Sequence, residues 1–176
     1  MKKLVLFTIF AALMMSSAAF AQTTASGTLT VTATVNGSIQ LVFNSDAAGL
    51  ALSSGNGTNA ATLAFGNVSA FGTIATGITR STTATNFTVS SPVDVLVSKT
   101  NSASANYTLK AQLGTADATN TWSVGGVAVT SGTQATVTGT GTYGSNSNFP
   151  VAITVPFTTA SGTNISNTIN YVATAN

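Results

Sequence analysis

From Thr28 to Val35 the chain alternates without a break, with Leu29, Val31, Ala33 and Val35 at odd positions and threonines between them. Successive side chains of an extended strand point to opposite faces, so a period of two sorts such a segment into one apolar and one polar face, which no helix does. The rhythm returns along the chain. Ile39, Leu41 and Phe43 share a face, as do Tyr107, Leu109, Ala111 and Leu113, and then Val151, Ile153, Val155 and Phe157. Near the C-terminus Ile165, Ile169, Tyr171 and Ala173 fall in step. Less regular apolar runs lie at Leu63–Val68, Asn86–Val89 and Val93–Val97. Threonine and valine are abundant, and β-branched side chains suit a pleated surface.

Turn chemistry separates these runs. Asn36-Gly37 reads as a two-residue hairpin loop that folds Thr28–Val35 back on Ser38–Phe43, because both residues tolerate positive φ. Gly125-Gly126 reads as a second such loop, between Trp122–Val124 and Val127–Val129. Ser53–Ala61 and Gly144–Asn148 read as polar loops, and Ala47–Leu52 and Ala70–Thr76 as a turn of helix at most. Short strands with turns between them predict an all-β fold, an antiparallel β-sandwich of immunoglobulin-like type, with a barrel or jelly roll as the other closure. The expected core includes Leu29, Val31, Leu41, Leu109, Ile153, Val155 and Ile169.

The first residues carry a different signal. Lys2-Lys3, the apolar run Leu4–Leu13 and the small-residue site Ala19-Phe20-Ala21 make the three-part pattern of a secretory signal peptide over 1–21, read by Sec-type export machinery. The apolar run is too short for a membrane span. One domain is expected over 22–176, in a secreted, periplasmic or cell-surface protein. Beyond the signal, Arg80, Lys99 and Lys110 balance Asp46, Asp94 and Asp117. Nucleic-acid binding needs clustered lysine and arginine, so no nucleic-acid partner is expected. With 44% hydrophobic residues and little charge, the chain has the composition of a folded domain. Without cysteine, its stability rests on packing and backbone hydrogen bonds.

Catalysis needs a nucleophile with a base, paired acids or a metal. The chain has no histidine, glutamate or cysteine. Lys110 and Asp94 alternate against apolar neighbours and are expected on the solvated face, while Asp46 and Asp117 read as turn residues. Gly139-Thr140-Gly141-Thr142-Tyr143-Gly144 fits a dinucleotide fingerprint, but Ser145–Pro150 follows it as loop and strand where the fingerprint requires a helix. No enzyme activity, cofactor or metal site is expected. Trp122 and Tyr143 are the candidate aromatics for a glycan platform.

The alternating Thr28–Val35, the short Thr/Asn/Gly-rich strands and the ending Gly162…Ile169-Asn170-Tyr171-Val172-Ala173 resemble secreted pilin-like subunits of the chaperone–usher class and the related spore-coat-U-type domain. That resemblance implies an incomplete immunoglobulin-like sandwich. It also implies partners that are copies of the same chain or other surface subunits, joined by β-strand addition, with Leu29, Val31, Ala33 and Val35 as the donated face. The expected function is a non-enzymatic structural or adhesive surface protein, such as a fimbrial, coat or matrix subunit. The alternative is a monomeric module that binds glycans or another surface. N-terminal sequencing of exported protein should return Gln22 as the first residue; an intact Met1 on that material would refute the signal-peptide reading.

Overall fold

The computed structural model describes residues 26–176. The expected signal peptide and its cleavage site lie outside the described residues. The chain divides between Thr34 and Val35 into two units, which are described separately.

In the larger unit every regular element is a strand: β1 (Ser38–Ser45), β2 (Thr79–Thr82), β3 (Asn86–Thr100), β4 (Tyr107–Leu113), β5 (Thr121–Val124), β6 (Val127–Val129), β7 (Ala135–Gly141), β8 (Asn146–Pro156) and β9 (Ile169–Ala175). One sheet runs β1-β3-β8-β5-β6, with β2 also paired to β3; the other runs β7-β4-β9. All pairings are antiparallel, and the two sheets pack face to face without closing into a barrel. The protein is therefore a β-sandwich, the architecture expected from its period-two patterning.

β3 organises the larger sheet. Phe87, Val89, Ser91, Val93, Val95 and Val97 are all buried, and the residues between them are not. Val95 and Val97 meet Tyr107 and Leu109 of the smaller sheet. Phe87 and Val89 join Ala111, Leu113, Trp122, Val124, Ile153 and Val155 in the neighbouring part of the core. Ser91 keeps the alternation because its hydroxyl oxygen accepts the Leu50 N–H at 2.8 Å, which satisfies a polar group in a dry position.

Two runs that look separate in sequence, Asn86–Val89 and Val93–Val97, are thus one strand that continues through Pro92. Proline removes a ladder donor and is usually confined to sheet edges. Here β1 ends with Ser45 opposite Val93, and β2 begins with Thr79 opposite Ser90. Pro92 therefore stands where that edge of β3 has no partner strand. On the β8 side it faces Pro150.

The Gly125-Gly126 turn joins β5 to β6 as expected, with φ of 57° and 80°, the pair of positive values that a type I′ hairpin requires. The Asn36-Gly37 hairpin does not form. Neither residue is among those with positive φ, and residues 26–37 carry no strand. Gly37 answers a different need, since a Cβ there would lie 2.6 Å from the Asn101 carbonyl oxygen. The expected core is corrected accordingly. Leu109, Ile153 and Val155 are buried, Leu41 and Ile169 are half-buried on edge strands, and Leu29 and Val31 are exposed. The loop expected over Gly144–Asn148 is shorter, because β8 already begins at Asn146.

Two glycines of the rejected fingerprint have opposite roles. Gly141 pairs with Tyr107, whose ring lies across it so closely that a Cβ would sit 2.2 Å from Cζ. Tyr107 is fully buried and has no room to yield. Nothing lies within 4 Å of a Cβ built on Gly139. Gly141→Ala should cost about 1–3 kcal/mol by overpacking, whereas Gly139→Ala should stay within about 0.5 kcal/mol of the parent. Equilibrium urea unfolding measures both, and equal effects at the two sites would contradict this packing.

Candidate functional site

Residues 26–34 adopt no regular structure, and the alternating apolar face expected for assembly lies open. Leu29 is 88% exposed, Val31 80% and Val35 73%, and Ala33 is exposed as well. Burying a leucine or valine side chain contributes about 1.5–3 kcal/mol. No charged residue occurs between Ser26 and Ser45.

Within the larger unit, two edge strands border the same part of the core. The Phe43 N–H donates to the Thr58 carbonyl at 2.8 Å, and the Gly57 N–H donates to the Phe43 carbonyl at 2.7 Å. Phe43 thus directs its backbone groups away from β3, and by strand alternation so do Ile39 and Leu41. Among the described residues, Phe43 is the one residue of β1 with a ladder partner on that outer edge. β9 is paired with β4 along one side only. Phe43 and Tyr171 meet edge to face with centroids 5.1 Å apart. Leu41, Phe43, Tyr171 and Ala173 are half-buried over Val95, Val97, Tyr107 and Leu109. Burial pushes the Tyr171 phenol far above its ordinary range, so it stays neutral in the folded protein. Neither β1 nor β9 contains a charged residue or a proline.

The two aromatics singled out from sequence are placed apart. Trp122 is buried in the core, and its indole N–H donates to Asp117 Oδ2 at 2.8 Å. Tyr143 is half-buried. Its ring meets Tyr107 at 5.3 Å and is overlain by the Lys99 ammonium at 5.0 Å. Among the described residues the most exposed aromatic side chains are instead Phe71 and Phe157, 6.2 Å apart, with Phe157 stacked against Phe87. Arg80 donates to the Ser69 and Gly72 carbonyls at 2.9 and 2.8 Å and so fixes the loop that carries Phe71. No sequence signal distinguishes these phenylalanines from core ones, because ring burial depends on which loop folds over which strand.

The aspartates gather amides. Asn148 Nδ2 donates to Asp46 Oδ2 at 2.6 Å and lies 3.4 Å from Asp94 Oδ1, and Asn146 Nδ2 donates to Asp94 Oδ2 at 3.0 Å. These residues are neighbours because Asn44, Asp94 and Asn148 are in register across β1, β3 and β8. Among the described residues no three histidine, cysteine or acidic side chains are grouped as metal ligands.

Asp117 is the turn residue that its sequence context suggests. Its Oδ1 accepts the backbone N–H groups of Thr119 and Asn120 at 3.0 and 2.8 Å, and its Oδ2 accepts from the Asn120 amide and the Trp122 indole. Burial acts to raise the carboxyl pKa. The hydrogen bonds from the Asn120 backbone, Trp122, the Asn120 side chain and Thr119 outweigh it and hold the pKa at about 2, below the ordinary 3.8. A carboxyl with a depressed folded pKa stabilises the fold above its unfolded pKa, and that contribution is lost as pH falls from about 4 through about 2. Asp117→Ala should cost about 1–3 kcal/mol near neutrality, because charge-assisted bonds are lost and a buried indole donor is stranded. Thermal melts across this range should show the parent approaching the variant at low pH. A gap that stays constant with pH would show that the carboxylate charge is not responsible.

A scan against family models matches no family, and comparisons with curated proteins and with solved structures match none.

Proposed function

We propose that this chain is a secreted, non-enzymatic structural subunit that assembles by β-strand addition, with Thr28–Val35 of one copy pairing with an open sheet edge of another. The observation that carries this reading is the exposed alternating face of Leu29, Val31, Ala33 and Val35 in a segment with no strand partner. Eight residues at about 3.3 Å each reach ~26 Å, the span of a strand as long as β1. Backbone pairing supplies register, and the alternate side chains supply burial against the half-covered apolar residues between β1 and β9. The lack of charge and proline on both edges supports the same reading, since proteins that stay monomeric commonly use such residues to block edge pairing. The expected assembly is a surface appendage, coat or matrix.

Val31→Asp tests this directly. Burying an unpaired charge costs several kcal/mol, so association should weaken at least about hundredfold. The folded monomer should survive with an unchanged melting temperature, because position 31 is exposed before assembly. Size-exclusion chromatography and thermal melting read both effects. A wild type that stays monomeric at every concentration would defeat the assembly reading and favour a self-contained glycan- or surface-binding module. A variant that assembles as well as the parent would exclude Val31 from the contact.

A further inference from the structure

The chain contains two Asn-Gly dipeptides, Asn36-Gly37 and Asn56-Gly57. Glycine after asparagine leaves the backbone nitrogen sterically open to attack the side-chain amide, so in a free peptide the two sites would react alike. The fold treats them differently. Asn56 Oδ1 accepts the Ser45 N–H at 2.7 Å, and the Gly57 N–H is engaged with the Phe43 carbonyl at 2.7 Å. Both the electrophile and the attacking nitrogen are therefore held, and Gly57 is fixed at a φ of 78°. At the other site, Asn36 and Gly37 are exposed and outside any strand. Among the described residues, neither the Asn36 amide nor the Gly37 N–H has a hydrogen-bond partner.

We infer that Asn36 is a site of spontaneous deamidation, one that the fold leaves open while it protects Asn56. The Gly37 nitrogen loses its proton and bonds to Asn36 Cγ, and the Cγ–N bond breaks to release ammonia and leave a five-membered succinimide. Water then opens either carbonyl of the ring, giving aspartate or isoaspartate at 36. The net reaction consumes one water and releases one ammonia, with no oxidant or reductant. Either product places a carboxylate two residues ahead of β1, in a stretch that otherwise has no charge from Ser26 to Ser45. Isoaspartate also adds a methylene to the main chain at the junction between Thr28–Val35 and the sandwich. The reaction needs only Asn36 and Gly37 and does not depend on assembly of Thr28–Val35.

Peptide mapping by mass spectrometry after incubation of the whole protein at mildly alkaline pH tests it. Cleavage after Phe43 puts the two asparagines in different peptides, and each conversion adds about 1 Da. In the folded protein Asn36 should convert at least about tenfold faster than Asn56, the factor that ~1.4 kcal/mol of local opening imposes. In urea the two rates should converge. An Asn36→Gln variant should abolish the signal from its own peptide and leave the slow Asn56 rate unchanged. Equal rates in the folded protein, faster loss at Asn56, or an Asn36 that is stable when folded but reactive in urea would each overturn the proposal.

Discussion

Every second side chain of β3, from Phe87 to Val97, is withdrawn from water, and the rest of the sandwich is arranged around that strand. β1 and β2 share one of its edges and β8 takes the other, so the large sheet exists only because a single strand is long enough to pair with three. The smaller sheet is positioned by the same face, with Tyr107 and Leu109 of β4 seated on Val95 and Val97. With no cysteine in the chain, nothing covalent substitutes for this packing. A polar substitution at Val95 would therefore strike both sheets at once, whereas the same change on β6 would strike only a corner.

Much of this was legible in the sequence because a half-buried strand writes its environment into alternate positions. β4, β8 and β9 follow their apolar alternation, and Gly125-Gly126 turns where its chemistry says it should. The failures are instructive. Ser91-Pro92 looks like a break in β3, yet a hydroxyl bonded to Leu50 and a gap between two partner strands make both residues acceptable there. Asn36-Gly37 has the composition of a type I′ turn, but composition states only which conformations are cheap, and Gly37 is required by its closeness to the Asn101 carbonyl. Trp122, a candidate for a glycan platform, is instead buried. The acceptor that lets its N–H be buried, Asp117, lies five residues away, but only a folded turn aims the carboxylate at it. The Asn–Asp contacts across β1, β3 and β8 involve residues up to 102 positions apart, and no local pattern announces them.

The N-terminal segment poses the sharper physical question. Its residues have strand propensity and a clean apolar face, yet in a single copy they have neither a ladder nor a core. Local preference and realised state disagree, and natural sequences keep such conflicts mainly where another interaction resolves them. Folding back on Ser38–Phe43 would be the nearest resolution. It needs positive φ at Asn36 and Gly37, which the chain does not adopt. Beyond residue 21 three cations balance three aspartates, so copies carry little net charge to hold them apart. Arg80 is bound to the loop carbonyls of Ser69 and Gly72, and Lys99 lies over Tyr143 and donates to the Ser104 carbonyl. β1 and β9, two of the sheet edges without charge or proline, flank the part of the core that holds Val95, Val97, Tyr107 and Leu109, and their own apolar residues there are only half-buried. A strand without a sheet and sheet edges without a strand are complementary deficits, and pairing them between copies would relieve both with backbone hydrogen bonds and apolar burial alone.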